Sequence, residues 1–264
     1  MDTVVSRPSL DEQRAIADFL DGETARIDAL IEKKRRLVGL MEARFRLTID
    51  HVIDDLSSSE AALGRFILGI GQGASPQADA YPAENDEWGV LKLSAVKFGR
   101  YDPRENKALT KTPDDPVMTP SVGDLLITRS NAPGYVGDVA AVAEPSPRRM
   151  LPDLIYRVRL DGARVSAKFA AYALLTSRSR HEISSLARGS SQSMVKLRGE
   201  DIRSLPIPVV TPAVQERVVK FLDSQRERTS EILVKLNRQI TLLAEHRQAL
   251  ITAAVTGRVG VAAS

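Results

Sequence analysis

The sequence predicts an α+β protein, in which one mixed α/β globular domain is flanked by two long helices that pack as an antiparallel coiled coil. Residues 13–54 align without gaps with residues 215–256, and both copies space their apolar residues alternately by three and four. Most of the prolines and glycines, with several short apolar runs, lie between the copies. We therefore expect three regions, a helical spacer at 1–56, a globular domain at 57–210 and a second helical spacer at 211–264.

Helix-terminal signals bound both predicted helices. The first helix should run from about Ser9 to Leu56, because Ser9 and Glu12 have the spacing of a capping box. The second should begin at Pro212, which suits the first helical position after an N-cap threonine, and should end at about Thr256, before Gly257.

An apolar seam runs along each copy, and one such helix cannot bury its own stripe. The two copies should therefore pack on each other or on a partner. Lys34 interrupts the seam and could specify its register. The residues expected to pack between helices are Leu20, Ile27, Met41, Leu222, Leu236, Leu243 and Leu250.

The middle region predicts a domain of mixed structure and ordinary size, about 150 residues. Strands are expected at 89–93, 124–128, 138–142 and 154–160, and helices at 166–176 and 179–186. The glycine-rich segment 69–73 is not followed by a helical pattern, so a flexible loop or bulge is favoured there over a nucleotide-binding loop.

Composition excludes several classes of chemistry. The chain has no cysteine, and its three histidines are far apart in sequence, so we expect no metal site. Walker, nucleophile-elbow and (Asn/Asp)-Pro-Pro-aromatic motifs are absent, so neither catalytic residues nor a cofactor are predicted. No apolar run is long enough to cross a membrane, and the first residues do not resemble a signal peptide. A cytoplasmic protein with no membrane association is the expectation.

Polar and basic side chains are dense on segments of the middle domain. Arginine and lysine recognise guanine and phosphates, and asparagine and glutamine recognise adenine. The net charge of +3 permits a nucleic-acid partner without requiring one. Two alternatives stay open: the charges serve solubility, or Arg129 pairs internally with Asp124 or Asp138. The candidate DNA-binding residues are Lys97, Arg100, Arg129, Ser130, Asn131, Ser190, Ser191, Gln192, Lys196 and Arg198.

Several segments resemble the specificity subunits of type I restriction–modification systems. The sequence RPSLDEQRAIADFLD at 7–21 resembles the start of that family's helical spacer, and RQALITAAVTGRV at 247–259 resembles its C-terminus. GDLLITR at 123–129, GDVA at 137–140 and GSSQ at 189–192 with LPIP at 205–208 resemble segments of its recognition domains. The resemblance covers nearly the whole chain. Family members carry two recognition domains, whereas this chain has one between two helices, as in a half-subunit or a C-terminal portion.

The resemblance implies a non-catalytic subunit whose target-recognition domain reads a half-site in double-stranded DNA. Its helices would act as spacers and dock methyltransferase subunits, with a restriction/translocase subunit joining the full complex. A second copy of the chain, or a second specificity half, is a further implied partner. The alternative is a non-enzymatic coiled-coil scaffold that carries a protein-interaction domain.

Overall fold

The computed structural model describes residues 9–56, 58–84, 86–113, 118–191 and 194–257. The helices are α1 (Leu10–Asp54), α2 (Ala167–Leu174), α3 (Ser177–Leu186), α4 (Gly199–Ser204) and α5 (Pro212–Val255). The strands are β1 (Glu60–Ala62), β2 (Ile67–Gln72), β3 (Gly89–Leu91), β4 (Val96–Lys97), β5 (Arg100–Tyr101), β6 (Asn106–Ala108), β7 (Leu125–Thr128), β8 (Ser130–Asn131), β9 (Val139–Ala141), β10 (Arg149–Met150), β11 (Ile155–Leu160), β12 (Arg188–Ser191), β13 (Met194–Lys196) and β14 (Pro206–Pro208).

The chain divides into two compact units. One comprises Met1–Phe45 and Ser224–Ser264, and the other comprises Arg46–Asp223. The division falls inside α1 and α5, so each long helix contributes residues to both units.

The termini of the long helices carry the predicted capping signals. The backbone N–H of Ser9 donates to Glu12 Oε2 at 2.8 Å, and the N–H of Glu12 donates to Ser9 Oγ at 3.3 Å, which is a capping box. These hydrogen bonds lower the pKa of the Glu12 carboxyl. After the end of α5, Gly257 adopts a φ of 69°, the left-handed conformation that commonly terminates helices.

Contacts between α1 and α5 in the first unit confirm the antiparallel coiled coil. Lys34 Nζ donates to Gln239 Oε1 at 2.7 Å, and Arg247 Nε lies 2.9 Å from Asp28 Oδ1. Because a residue earlier in α1 meets a residue later in α5, the helices run in opposite directions. Lys34 and Arg247 both interrupt the apolar seam, and each of these two side chains has a polar partner on the facing helix.

The predicted packing residues follow the seam. Ile27 and Leu236 are buried in the first unit, and Leu222 is fully buried in the second. The remaining four are partly buried: Leu20, Met41, Leu243 and Leu250.

A four-stranded antiparallel sheet in the order β2-β11-β7-β9 dominates the second unit. All four residues of β7 are buried, and α2 packs against β7 and β9 with Phe169 fully buried. The four predicted strands and both predicted helices are present with slightly different ends. A second sheet has the order β10-β3-β6.

The glycine-rich segment departs in part from its sequence prediction. Gly69 and Gly71 lie within β2 rather than in a flexible loop, and they pair with Arg159 and Arg157 of β11. The register shifts between Arg159 and Leu160, so the predicted bulge is present beside Gly69. The loop prediction was wrong because the backbone pairs across the sheet.

Candidate nucleic-acid interface

A small three-stranded sheet in the order β12-β13-β8 brings two of the predicted polar segments together. Lys196 of β13 lies opposite Ser130 of β8, and Val195 lies opposite Asn131. On the other side of β13, Arg188 of β12 lies opposite Lys196. Segments that are more than fifty residues apart in sequence therefore form one surface, which we call the β8–β13 surface (residues 129–131, 188–191 and 194–198).

Arg129 anchors this surface to the main sheet. Its side chain is half-buried, Nε donates to the Tyr156 hydroxyl at 3.1 Å, and one terminal nitrogen donates to the Asp153 carbonyl at 3.4 Å. The Arg129 carbonyl in turn accepts from the backbone N–H of Leu197 at 2.9 Å. Arg129 therefore joins β7, β11 and the segment after β13.

The suggested internal pairing of Arg129 with Asp124 or Asp138 was wrong. Asp124 is held by Arg157, whose Nε lies 2.7 Å from Oδ2. Asp138 accepts instead from the backbone N–H groups of Phe98 and Val139, at 2.8 and 3.0 Å. Burial raises the pKa of the Asp138 carboxyl, against the lowering effect of those backbone hydrogen bonds and of nearby basic side chains.

The prediction that Ser130 supports binding through a phosphate contact was wrong. Its side chain is fully buried, and its hydroxyl has no hydrogen-bond partner within the described structure. A phosphate cannot reach it in this conformation. Asn131 is half-buried, and its Oδ1 accepts from the N–H of Ala132 at 2.9 Å. Part of the acceptor capacity that an adenine contact would use is therefore already engaged.

Lys196 and Arg198 are both exposed but differ in their surroundings. No ion pair involves Lys196 within the described residues, and its ammonium faces solvent on β13. Arg198 precedes α4, where its guanidinium lies 3.2 Å from Asp201 and its backbone N–H donates to the same carboxylate at 2.8 Å. Burial raises the pKa of Asp201, but the Arg198 hydrogen bonds outweigh burial and leave that pKa lowered. Arg198 thus stabilises the start of α4, and Lys196 is the freer cation.

The other predicted residues fall in two places. Ser190 and Ser191 belong to β12, and only their backbone is described, while Gln192 lies outside the described residues. Lys97 and Arg100 lie opposite each other in the strand register of a separate β4–β5 hairpin. This hairpin is not hydrogen-bonded to the β12-β13-β8 sheet. The prediction therefore grouped side chains that lie on two different hairpins or sheets.

The β4–β5 hairpin has a tight turn and an exposed basic face. Phe98 and Gly99 have φ angles of 45° and 77°, and the Gly99 N–H donates to the Val139 carbonyl at 2.7 Å. Lys97 and Arg100 are exposed. Arg100 lies 3.9 Å from Asp102, whose pKa falls to about 2, chiefly because Arg104 donates hydrogen bonds to it.

Sequence reasoning missed one exposed aromatic beside the β8–β13 surface. Tyr135 lies in the loop that follows β8, and 58% of its surface is exposed. The dipeptide Pro133-Gly134 just before it is a turn signal in the sequence. An aromatic next to such a turn could have been flagged, but its exposure depends on the fold.

Within the described ranges, no three histidine, aspartate or glutamate side chains come together as a metal site would need. The helices in those ranges include none that is both long and apolar enough to cross a membrane.

No protein-family model matches the chain. The specificity subunit of the type I restriction enzyme EcoEI from Escherichia coli is 29% identical over 166 residues, which are 61% of this chain and 27% of that protein. This chain is similar to type I restriction specificity subunits. The resemblance predicted from the sequence is thereby confirmed. The matched region spans about a quarter of the length of the EcoEI subunit.

Two solved structures share the fold of this chain. A chain from a structural study of complex assembly and conformational transition of the type I R-M system aligns with a TM-score of 0.69 and 17% identity, over 96% of this chain and 61% of that chain. The HsdS subunit from Thermoanaerobacter tengcongensis aligns with a TM-score of 0.52 and 18% identity, over 96% of this chain and 60% of its own.

Proposed function

We propose that this chain is a non-catalytic DNA-specificity component of a type I restriction–modification complex. Its second unit reads a half-site in double-stranded DNA, and α1 and α5 act as a spacer that docks methyltransferase subunits. The observation that carries this proposal is the pairing of β8 with β13, which joins two polar segments into one surface. Similarity to the EcoEI specificity subunit supports it over a coiled-coil scaffold with a protein-interaction domain.

The charge of the β8–β13 surface suits DNA. The sequence contains no acidic residue at 125–137 or at 188–198, while it places Arg129, Arg188, Lys196 and Arg198 there. Lys196 is exposed on the middle strand of the sheet. Arg198 is engaged by Asp201, whereas Lys196 pairs with no carboxylate among the described residues, so its ammonium is available to attract a phosphate.

The dimensions of the helices suit a spacer. Helices α1 and α5 have 45 and 44 residues, so each is about 65 Å long. Half-sites on adjacent turns of DNA are about 34 Å apart, well within that length. Restriction/translocase subunits, and a second copy of the chain or a second specificity half, complete the proposed assembly, which would be cytoplasmic.

Selection from a pool of random DNA duplexes tests the proposal. The chain is incubated with its methyltransferase subunits, bound duplexes are recovered in successive rounds, and their sequences are compared. We expect enrichment of a short defined motif. Recovery of duplexes without any shared motif, with and without methyltransferase subunits, would overturn the proposal.

A matched pair of lysine variants separates the β8–β13 surface from general electrostatics. Lys196→Ala and Lys111→Ala each remove one exposed positive charge from the second unit. We expect Lys196→Ala to weaken binding to the enriched duplex. The slope of the logarithm of the binding constant against the logarithm of the salt concentration should fall by about one, as for the loss of one phosphate contact. Equal effects of the two variants would show that the β8–β13 surface is not the binding surface.

A further inference from the structure

The loop between β8 and β9 (residues 132–138, here the β8–β9 loop) is held in place by one arginine. One terminal nitrogen of Arg180 donates to the Gly137 carbonyl at 2.7 Å. The other donates to the Val136 carbonyl at 2.8 Å and to the Gly134 carbonyl at 3.4 Å. A single guanidinium thus satisfies three carbonyls of the loop.

Packing at Gly137 also restricts the loop. Gly137 has a φ of 65°, and a Cβ added there would lie 2.5 Å from a methyl group of Ile183 and 2.8 Å from one of Leu197. Only glycine fits this backbone and this space. The loop is therefore pressed against α3 and against the segment after β13.

Hydrogen bonds from β7 and within the loop fix the backbone of Tyr135 itself. The Thr128 hydroxyl donates to the Tyr135 carbonyl at 3.0 Å, and the Val136 N–H donates to the Ala132 carbonyl at 3.0 Å. Val136 is fully buried, whereas Tyr135 next to it is largely exposed. The fold therefore holds an aromatic ring at the surface on a backbone that is already ordered.

The loop that carries Tyr135 adjoins the proposed DNA surface. The β8–β9 loop starts directly after Asn131, which pairs with Val195 next to the exposed Lys196. An ordered loop binds with little loss of conformational entropy, so an exposed aromatic on it is well suited to recognition. Apolar side chains read base edges by contact, for example with the thymine methyl group in the major groove.

We propose that Tyr135 contacts a base edge through its ring and contributes to sequence specificity, with Arg180 as the positioning residue of the β8–β9 loop. This inference rests on the proposed function, because it assigns a further specificity residue to the same DNA surface.

The test uses the full chain with its methyltransferase subunits, and a random duplex pool as the probe. Tyr135→Ala should relax the base preference at one or two adjacent positions of the enriched motif and weaken binding to it by about 10-fold. Tyr135→Phe keeps the ring and should retain the preference. Tyr81→Ala is the matched control, because Tyr81 is 50% exposed elsewhere in the same unit.

The outcomes distinguish this inference from the proposed function. Failure of the unmodified chain to enrich any motif would overturn the proposed function and this inference with it. If the unmodified chain enriches a motif, three results would overturn the inference alone: an effect of Tyr135→Ala no larger than that of Tyr81→Ala, a uniform loss of affinity with an unchanged motif, or a Tyr135→Phe variant that behaves like Tyr135→Ala.

Arg180→Gln tests the positioning role. If Arg180 acts through Tyr135, this variant should relax the same base positions, and the double variant with Tyr135→Ala should bind no more weakly than the worse single variant. Arg180→Lys, which keeps the charge, should restore part of the preference. Additive losses, or a change at other base positions, would show that Arg180 does not act through Tyr135.

Discussion

Removing Arg157 should leave a buried carboxylate without its charged partner. Asp124 is only 4% exposed, and its Oδ2 accepts from Arg157 Nε and from the Ser121 N–H, both at 2.7 Å. In Arg157→Ala the carboxylate would keep the backbone hydrogen bond and lose the ion pair. This matters for the β8–β13 surface, because Asp124 directly precedes β7, which leads into Arg129.

The structure sets the size of the effect. Loss of one partner of a fully buried ion pair costs about 3–5 kcal/mol. The Arg157 side chain is 24% exposed, so water can replace part of the interaction, and we expect about 2–3 kcal/mol. For a unit of this size, that corresponds to a fall in Tm of roughly 4–12 °C.

Thermal and urea unfolding of the purified chain, followed by circular dichroism, measure the loss. Arg159→Ala is the matched control, because Arg159 lies two residues further along β11 and is exposed. The control should change the free energy of unfolding by less than about 0.5 kcal/mol. If both variants unfold at the same temperature, the Asp124–Arg157 pair does not stabilise the sheet.

Three further predictions concern the loop, an acidic group and the coiled coil. Gly137→Ala should destabilise the chain by about 1–3 kcal/mol in urea unfolding. Gly162→Ala is the control and should be close to neutral, because its Cβ would meet no atom within 4 Å. Equal effects of the two variants would show that close packing at Gly137 does not stabilise the chain. The pKa of Asp102 is about 2 in the folded chain, below its ordinary 3.8, so its stabilising contribution is present above about pH 4 and is lost as the pH falls towards 2. Asp102→Asn should flatten that part of the curve of unfolding free energy against pH, and an unchanged curve would contradict the assignment. Asp28→Arg should weaken the coiled coil by at most about 1 kcal/mol, because the Asp28–Arg247 pair is partly exposed. Adding Arg247→Asp should restore the lost stability in the double variant. A double variant less stable than either single variant would refute this pairing.

The long helices and the longer strands could be predicted because their signals are local. Apolar spacing and the Ser9–Glu12 capping box place α1 within a few residues of its observed ends, and the four apolar runs each contain an observed strand. The packing of α1 on α5 also follows, because two copies of one seam can cover each other, whereas their direction is set by contacts such as Asp28 with Arg247.

The small sheet could not be predicted, because it depends on pairing between distant segments. Strands β8 and β13 have two and three residues, too short for an alternating pattern. The serine and its polar neighbours predict a phosphate contact for Ser130, whereas its side chain is fully buried in the folded chain. The Tyr156 partner of Arg129 is likewise set by the neighbouring strand, which the sequence around Arg129 does not reveal.

The first and last strands of the second unit, β1 and β14, lie side by side. Glu60–Ala62 of β1 pairs with Pro206–Pro208 of β14, and the Val209 N–H donates to the Ser59 carbonyl at 2.8 Å. Because both ends are joined by this short ladder, the intervening residues form an insert with adjacent termini, an arrangement that tolerates transplantation. Exchange of residues 59–209 for the matching segment of a related chain would leave α1 and α5 unchanged in sequence, and under the proposed function it would change the DNA target without redesign of the helices.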